Sequence, residues 1–371
     1  MNINNDNCGV LSIGIKTPII RQGDDLVKII TESVLSTLDN NLEDNDIIGV
    51  TESIVARAQG NYVTINDIVK DLEKKGVSKK IVLFEPIMSR NRFSLILKAF
   101  ARYAASVTIV HCHDFDQQGN PTRTINPFTG IDVNTYYQQI CEKENCIYHH
   151  ETEYGEDYWF DFFDETEFTV IDARCHPHYD LMCDFTLADI MSMPTNECGY
   201  NEDWGLLGSN KADEEKLKLF PRKKEAQELV ETIQKTLFSK TGKQVEVLIY
   251  GDGCFHSPEI SGLFGSSINE FADPVTCPAY TVGLEGTPNE IKIKAFADGK
   301  YKHLSGKELD DAIKQEINNN KINLKGQMTS QGTTPRRLTD LLASLCDLTT
   351  GSGGKGTPCV VIRNYFKTFA D

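Results

Sequence analysis

The sequence predicts an α+β fold, and two observations lead to this prediction. Helical segments and short apolar strands follow one another irregularly, which favours a mixed architecture over a regular doubly wound sheet. Hydrophobic residues make up 40% of the chain and aromatic residues are spread throughout it, which is typical of a folded globular protein. With 371 residues, the chain has room for two domains or for one domain with a large insertion.

The first third of the chain begins with an amphipathic helix. Apolar residues recur at helical spacing from Leu26 to Leu38, and an aspartate just before them can cap the first turn. A buried strand is predicted from Ile47 to Thr51. A second helix should run from Ile65 to Lys75, because Gly76 then ends it, and a strand should follow from Ile81 to Phe84.

The middle of the chain contains fewer clear elements. A helix is predicted from Arg92 to Ala104 and a strand from Ser106 to Val110. Residues 112–165 are polar and rich in aromatic side chains, with little periodicity, and we expect irregular structure there. A strand is predicted from Phe168 to Ile171, and an amphipathic helix from Glu225 to Phe238.

The last third contains two strands and two helices. One strand is predicted from Val245 to Tyr250, directly after the amphipathic helix. Residues 305–308 fit a capping box that opens a helix through Ile317. Another helix should run from Leu338 to Cys346, and the final strand from Cys359 to Ile362.

Charge and composition exclude several classes of function. The formal net charge of −16 argues against a nucleic-acid binder and against an anionic membrane surface. The N-terminal residues lack the pattern of a signal peptide, and no apolar run is long enough to cross a bilayer. We therefore expect a cytoplasmic protein, in which the eleven cysteines are reduced rather than paired in disulfides.

A glycine-rich loop near the C-terminus is the strongest local motif. Its glycines allow successive amides to converge on an oxyanion, and its lysine adds a positive charge. The loop leaves a predicted helix and enters a predicted strand, so it is not a Walker A loop, which leads from a strand into a helix. A plain flexible connection is the alternative. The loop consists of Thr350, Gly351, Ser352, Gly353, Gly354, Lys355, Gly356 and Thr357.

Several stretches are rich in potential metal ligands. Residues 111–113 and 141–150 contain cysteine and histidine, and residues 172–184 add aspartate. Cysteine and histidine could hold zinc, and aspartate with histidine could serve acid–base chemistry. Their spacing matches no zinc-finger pattern, so solvated or core side chains are the preferred interpretation. Asp252, between two glycines at a strand end, is well placed for a metal ion, although a tight turn is an alternative.

Three blocks of sequence stand in a distinctive order. The first, from Lys16 to Gly60, holds a proline-containing strand, a Gly-Asp-Asp helix start and the Glu52-Ser53 segment. The second runs from Gly208 to Asp252, and the third from Thr339 to Arg363 with the glycine-rich loop inside it. In this order and spacing, the blocks resemble the coenzyme F420-0:γ-glutamyl ligase family.

The resemblance implies a fold and an activity. It implies two intertwined mixed α/β domains in a homodimer, with a core of residues 1–84, 201–252 and 336–371, and large inserted segments at 85–200 and 254–335. It also implies an amide ligase that uses GTP, or ATP, with Mg²⁺ or Mn²⁺ to activate a carboxylate as an acyl phosphate. The amine of glutamate then attacks the activated acidic acceptor.

The resemblance also implies roles for individual residues. Arg57 and Asp252 would be catalytic, and Asp252 would hold the metal. Asp24, Asp25, His256 and Asp273 would contact substrate, the last two by a weaker inference. The nucleotide would be bound by Thr17, Pro18, Ile19, Ile20, Glu52, Ser53, Arg57, Asn210 and the glycine-rich loop from Thr350 to Thr357.

Some positions depart from the family's pattern. Arg57 stands where the family has a lysine, which keeps the charge, whereas Ser53 stands where a second lysine is expected, which loses it. Leu207 replaces a carboxylate ligand, and Asp252 is displaced by one residue. Ser352 takes the place of the polar ligand expected in the last loop. These departures support a second hypothesis, a non-catalytic nucleotide- or cofactor-binding protein.

Overall fold

The computed structural model describes residues 8–84, 86, 92–110, 132–151, 167–173, 183–192, 204–251, 271–272, 293–319, 338–350 and 353–370. The strands are β1 (Leu11–Ile15), β2 (Ile47–Thr51), β3 (Tyr62–Thr64), β4 (Lys80–Phe84), β5 (Ser106–Val110), β6 (Ile147–Glu151), β7 (Thr169–Asp172), β8 (Phe185–Thr186), β9 (Ser209–Lys211), β10 (Lys216–Leu219), β11 (Glu246–Tyr250), β12 (Phe271–Ala272) and β13 (Cys359–Arg363). The helices are α1 (Leu26–Thr37), α2 (Glu52–Gln59), α3 (Ile65–Lys74), α4 (Arg92–Tyr103), α5 (Val133–Lys143), α6 (Lys223–Thr241), α7 (Ile293–Asp298), α8 (Gly306–Asn319) and α9 (Leu338–Thr350).

The central sheet has five strands in the order β1-β13-β2-β11-β12. Strand β13 is antiparallel to both β1 and β2, whereas β2, β11 and β12 are parallel. Helices α1 and α6 pack together over one face, and α9 packs over the other. Val50 and Val361 belong to the apolar cluster on the α1 side, and Ile47 and Val360 to the cluster that includes Leu342 of α9. Both faces of this sheet are therefore buried.

The second five-stranded sheet, called the parallel sheet below, has the order β6-β5-β4-β7-β8, and all of its strands are parallel. Counted from β4, this is the strand order 3-2-1-4-5 of doubly wound nucleotide-binding folds. Strand β4 lies before residue 85 and β5 to β8 lie after it, so the predicted boundary between core and inserted segment falls within one sheet.

A small sheet, β3-β10-β9, contacts both helix α2, which follows β2 of the central sheet, and helix α4 of the parallel sheet. Its hairpin, β9-β10, meets helix α4 of the parallel sheet. Arg102 on α4 donates two hydrogen bonds of 2.9 Å to Glu144 and one of 3.1 Å to Glu215 in the hairpin turn. Lys98, one turn earlier, also pairs with Glu215. This group of charges ties the parallel sheet to the rest of the molecule.

The fold class predicted from the sequence is confirmed: helices and mixed sheets form an α+β protein. The predicted aspartate cap is present, because the Asp25 carboxylate accepts a 3.0 Å hydrogen bond from the Lys28 amide at the start of α1. In the part of the chain that the structure describes, no helix is long and apolar enough to cross a membrane.

The expectation of irregular structure in residues 112–165 was wrong for part of that segment. Helix α5 and strand β6 lie within it. The pattern is hard to see because only Val133, Tyr137 and Cys141 of α5 are buried, between polar residues. Tyr137 makes an edge-on contact with Phe93 of α4, with ring centroids 5.4 Å apart, so tertiary packing determines this helix more than its own periodicity does.

Candidate functional site

Four strand ends meet at one edge of the central sheet. The registers pair Ile15 with Cys359, Cys359 with Val50, and Val50 with Ile249. Strands β1, β2 and β11 therefore end at this edge, and β13 begins there. The loops that follow or precede these ends enclose a cleft of about 800 Å³, which is called the large cleft below.

The large cleft is lined by loop segments and by a few polar side chains. Its volume lies in the range of small-molecule sites, roughly 300–1,000 Å³. It is lined by Thr17, Pro18, Ile19, Ile20, Thr51, Glu52, Ser53, Ile54, Arg57, Asn210, Tyr250, Gly251, Asp347, Thr350, Gly356, Thr357 and Pro358.

Backbone hydrogen bonds fix the loops around this cleft. The Thr17 amide donates to the Gly356 carbonyl at 3.3 Å, which joins the segment after β1 to the glycine-rich loop. The Thr51 amide donates to the Pro358 carbonyl at 3.0 Å, which joins the end of β2 to the start of β13. These walls are thus held by the same strand pairing that forms the sheet.

Helix α2 starts directly at the cleft. Thr51 is its N-cap, and the threonine hydroxyl accepts a hydrogen bond of 3.5 Å from the Ser53 amide. The N-terminal amides of a helix carry a partial positive charge and form a ready site for an anion. Arg57, also on α2, is exposed and lines the same cleft. Helix α2 therefore presents backbone amide donors and one cation to the large cleft.

A lysine from the small sheet reaches the first turn of α2. The Lys218 ammonium donates a hydrogen bond to the Ser53 hydroxyl and lies 3.7 Å from the Glu52 carboxylate. Lys218 and Glu52 are buried, with 7% and 2% of their surfaces exposed. A buried lysine needs a charged or hydrogen-bonding partner, and here both partners belong to the rim of the cleft.

Helix α9 forms the opposite wall. It packs closely on the central sheet because Gly49 has no side chain: a β-carbon there would lie 2.3 Å from the Cys346 sulfur. This contact brings Asp347 and Thr350 to the cleft beside Tyr250. Burial raises the pKa of the Tyr250 hydroxyl, so this group stays neutral near pH 7 and can only donate or accept hydrogen bonds.

A second cleft of about 290 Å³, the small cleft, adjoins the first. It lies between α2, β3 and the β9-β10 hairpin. Ser53 and Arg57 line both clefts. The small cleft is lined by Ser53, Arg57, Tyr62, Lys211, Ala212, Asp213, Lys216 and Lys218.

Most of the residues predicted to bind nucleotide meet in the large cleft. Fourteen of the sixteen predicted positions are described, and eleven of these line the cleft. Gly353, Gly354 and Lys355 form a short 3-10 turn in the glycine-rich loop and are not among the lining residues. Gly351 and Ser352 lie outside the described residues. The prediction of nucleotide binding therefore corresponds to one contiguous site.

The other predicted site residues are not brought together in this way. Asp24 accepts a 2.6 Å hydrogen bond from the Arg21 amide, and Asp25 caps α1, so the described contacts of both are local. Neither lines the large cleft. Asp252, His256 and Asp273 lie outside the described residues.

The described residues include no group of three or more potential metal ligands. Glu52 and Asp347 are the carboxylates of the large cleft within this part of the chain, and Glu52 is already near Lys218. A Mg²⁺ site beside a nucleotide commonly uses one or two carboxylates together with water and phosphate oxygens. Of the histidine- and cysteine-rich stretches, residues 111–113 and 174–182 lie outside the described residues.

Several lining residues were missed by the sequence reasoning. Thr51, Tyr250 and Asp347 occur at the ends of predicted elements, but nothing in their local sequence marks them as cleft residues. Lys218, which lines the small cleft, could have been identified from the sequence. It interrupts the apolar run from Leu217 to Phe220, and a charged residue inside such a run predicts a buried charge with a partner.

Comparisons with known proteins agree with the resemblance of the sequence blocks. A profile of the family described as F420-0:Gamma-glutamyl ligase matches residues 14–364, and the chain therefore belongs to this family. The chain is also similar to coenzyme F420:L-glutamate ligase of Methanosarcina acetivorans, with 35% identity over 81 residues. That match covers 21% of this chain and 30% of the relative, so the chain covers less than two thirds of the relative's length.

Proposed function

We propose that this member of the F420-0:gamma-glutamyl ligase family binds a nucleoside triphosphate, GTP or ATP, in the large cleft and joins glutamate to an acidic acceptor. The family is one of ligases, which supports an enzyme of this kind. The acceptor, the nucleotide and the acyl phosphate route are parts of the proposal.

One observation carries the proposal more than any other. The sequence blocks led us to expect that residues between Thr17 and Thr357, more than 330 positions apart, bind the nucleotide. In the structure, most of these residues line one cleft. The cleft lies beyond the carboxyl ends of parallel strands β2 and β11, where open α/β sheets commonly bind ligands. Its size also suits a nucleotide.

The proposed chemistry has two steps with balanced groups. An oxygen of the acceptor's carboxylate attacks the terminal phosphorus of the nucleotide, which forms an acyl phosphate and releases the nucleoside diphosphate. The amine nitrogen of glutamate then attacks the acyl carbon, the amide bond forms, phosphate leaves, and the ammonium proton passes to solvent.

The residues at the α2 N-terminus have a clear role in this scheme. The first amides of α2 and the Arg57 guanidinium lie on one side of the large cleft and would neutralise charge that develops on the transferred phosphoryl group. Lys218 does not line this cleft, but it would add positive charge next to it through its hydrogen bond to Ser53. The glycine-rich loop and the segment after β1, joined through Thr17 and Gly356, would hold the remaining phosphates and the nucleoside from the other side.

Divalent metal is a separate prediction. When bound beside a nucleotide, Mg²⁺ or Mn²⁺ supplies charge neutralisation on the phosphates. The resemblance of the sequence blocks assigns the metal to Asp252, which lies outside the described residues. We therefore assign no reaction step to a metal.

Calorimetric titration of GTP, then ATP, with and without Mn²⁺ tests the proposal. We expect binding of one nucleotide, and at least tenfold weaker binding in an Arg57→Gln variant, because a charge-assisted contact to phosphate is lost. An Asp252→Ala variant should lose the effect of Mn²⁺ alone. Absence of binding by either nucleotide in both conditions would overturn the proposal.

The second candidate function is a nucleotide-binding protein without ligase activity. Leu207 favours it, because this apolar residue stands where the family's pattern has a carboxylate ligand. Nucleotide binding that is unaffected by Mn²⁺ or by chelator, without nucleotide hydrolysis when glutamate and acids are added, would favour this candidate over the ligase.

A further inference from the structure

The C-terminus of helix α5 places two cysteines next to each other. Cys141 lies in the last turn of the helix, and Cys146 comes directly before β6. The Cys146 amide donates a 2.9 Å hydrogen bond to the Cys141 carbonyl, and the Asn145 amide donates one of 3.1 Å to the Glu142 carbonyl. Asn145 has a φ of 59°, in the left-handed region. These features define a Schellman motif, in which the residue after the left-handed position meets a residue of the last helical turn.

Cysteines occupy both positions that commonly make an apolar contact in this motif. Cys141 is fully buried, and Cys146 has 4% of its surface exposed. Both are free thiols in this structure. The Cys141 thiol donates a hydrogen bond to the Cys146 sulfur, so the two sulfurs are in contact. A disulfide needs Cα atoms roughly 4.4–6.8 Å apart, and the backbone hydrogen bond between the two residues keeps their main chains close.

The two thiols differ in reactivity. The hydrogen bond from Cys141 lowers the pKa of Cys146, and the same bond, together with burial, raises the pKa of Cys141. The thiolate is the form that attacks an oxidant, so Cys146 is the nucleophile of the pair and Cys141 is the thiol that resolves it. Cys183 provides a contrast, because burial raises the pKa of its thiol.

The position of the pair allows a local opening to expose it. Among the described strands of the parallel sheet, β6 lies at an edge, and its first residue, Ile147, is 60% exposed. Helix ends open at a lower cost in free energy than the core does. Opening of the last turn of α5 therefore exposes the Cys146 sulfur while the rest of the sheet stays folded.

The turn between the cysteines also takes part in a charge contact. Glu144, the C-cap of α5, accepts two hydrogen bonds of 2.9 Å from Arg102. Arg102 also donates one of 3.1 Å to Glu215 in the β9-β10 turn. The cysteine pair thus adjoins the contact that joins the parallel sheet to the β9-β10 hairpin.

From these observations we propose that Cys141 and Cys146 form a redox-sensitive dithiol site, which hydrogen peroxide oxidises to a disulfide. The Cys146 thiolate attacks one peroxide oxygen, the O–O bond breaks, and a sulfenic acid forms while hydroxide leaves and takes up a proton. The Cys141 sulfur then attacks the Cys146 sulfur, the S–O bond breaks, and the S–S bond forms. The departing hydroxide takes the Cys141 proton and becomes water. The two thiols have lost two electrons, and the peroxide has become two waters. A small thiol in excess reverses the reaction by thiol–disulfide exchange.

The test follows the pair in the folded protein by peptide mass spectrometry. Wild type, Cys141→Ser, Cys146→Ser and the control Cys8→Ser are treated with hydrogen peroxide at pH 7, quenched with catalase, alkylated in denaturant and digested with trypsin. Trypsin cleaves after Lys143, between the two cysteines, so a disulfide joins two peptides that a reductant separates. Cys8 is a half-buried cysteine before β1, and its variant controls for the loss of one thiol. A wild-type sample oxidised in urea reports on the unfolded chain.

We expect wild type and Cys8→Ser to lose two free thiols, both from this pair, and dithiothreitol to restore them. Cys146 should react roughly tenfold faster than Cys183 in the folded wild type, because its thiolate is favoured. Cys141→Ser should stop at a sulfenic acid on Cys146, which dimedone traps, and Cys146→Ser should leave Cys141 reduced.

Two results would overturn the inference. One is a Cys141–Cys146 disulfide that forms only in the urea sample. The other is a folded wild type in which both thiols remain open to alkylation after Cys183 has been oxidised. Both results are read in wild type, so they decide the question even if a serine variant does not fold.

Discussion

The two ends of the central sheet each hold a buried cation beside a buried carboxylate, and the two pairs differ. At the end away from the clefts, Arg363 donates hydrogen bonds of 2.7, 3.0 and 3.3 Å to Asp46, and one of 2.6 Å to the Asn41 carbonyl. At the cleft end, Lys218 and Glu52 are 3.7 Å apart, and the lysine's hydrogen bond goes to Ser53. The first pair is a bidentate contact, and the second is a loose one.

The difference shows which charge is available for function. The hydrogen bond to the Asp46 carboxylate raises the pKa of Arg363. Arg363 lies on β13 and Asp46 directly precedes β2, and these two strands pair in the sheet, so the contact forms between two parts of the fold. Lys218 has fewer fixed contacts and lines an open cleft. We infer that the Arg363–Asp46 pair, at the closed end away from the clefts, stabilises the sheet, and that Lys218, at the open end beside the clefts, can also contact a ligand.

The largest expected effect is at the closed end. Arg363→Met leaves the Asp46 carboxylate buried without its main partner, and should lower the free energy of unfolding by about 3–5 kcal/mol. Urea denaturation at pH 7 measures this change. Arg21→Met, at an exposed arginine, is the matched control and should be nearly neutral. A loss below about 1 kcal/mol for Arg363→Met would show that the pair is not structural.

The next largest effect concerns helix α9, which forms one wall of the large cleft. Gly49→Ala forces a β-carbon to within 2.3 Å of the Cys346 sulfur, so α9 has to move. We expect a loss of about 1–3 kcal/mol in unfolding free energy, as for other overpacked cores. Adding Cys346→Ala should restore part of it, because the next contact, with the Cys346 β-carbon, is 3.3 Å away.

The control for this prediction is Gly9→Ala. A β-carbon at Gly9 meets no atom within 4 Å, so this variant should be nearly neutral. Equal losses in the single Gly49→Ala protein and in the double variant would mean that the clash with the sulfur is not the cause.

The third prediction compares the stability of Lys218→Met with that of Arg363→Met. Lys218→Met should destabilise the fold by about 1–2 kcal/mol, less than Arg363→Met, because it removes a looser pair and one hydrogen bond. It should also weaken nucleotide binding roughly tenfold. Both quantities are measured on the same protein, by urea denaturation and by calorimetry.

A rescue variant distinguishes charge from structure. In Ser53→Lys/Lys218→Met, an ammonium returns to the α2 N-terminus from position 53, where the resemblance of the sequence blocks leads us to expect a lysine. Nucleotide affinity should recover to within about threefold of wild type, even if stability does not. Recovery of stability without recovery of binding would show that Lys218 only supports the fold.

The smallest effect belongs to an exposed pair. Hydrogen bonds from Lys98 and then Arg102 lower the pKa of Glu215 below its ordinary value of 4.5. A lowered carboxylate pKa stabilises the fold above pH 4.5, and this contribution is lost as the pH falls through the lowered value. Glu215→Gln should therefore lower stability at pH 7 by less than about 1 kcal/mol, since half of the side chain is exposed.

The pH and salt dependence test this assignment. The difference in unfolding free energy between Glu215→Gln and wild type should shrink below pH 4.5 and in high salt. Lys235→Gln, on an exposed helical pair, shows the background effect of losing one surface charge. A difference that persists at pH 3 would contradict the assignment to Glu215 ionisation.

The sequence by itself determined most of the elements around the large cleft. Periodicity and caps predicted α1 and α3, and short apolar runs predicted β2 and β11 to within about one residue, since these features act between near neighbours in the chain. The sequence blocks also identified the residues after β1, at the start of α2 and in the glycine-rich loop, which line one cleft.

Only the tertiary structure decided how distant segments combine. The meeting of Lys218 with Ser53 spans 165 positions, and no local pattern encodes which strand lies beside α2. The order of the parallel sheet and the burial of α5 likewise depend on contacts such as Tyr137 with Phe93. Side-chain periodicity records which face of an element is buried, but the partner that covers it, and hence the shape and charge of the two clefts, follows from the packing of the whole chain.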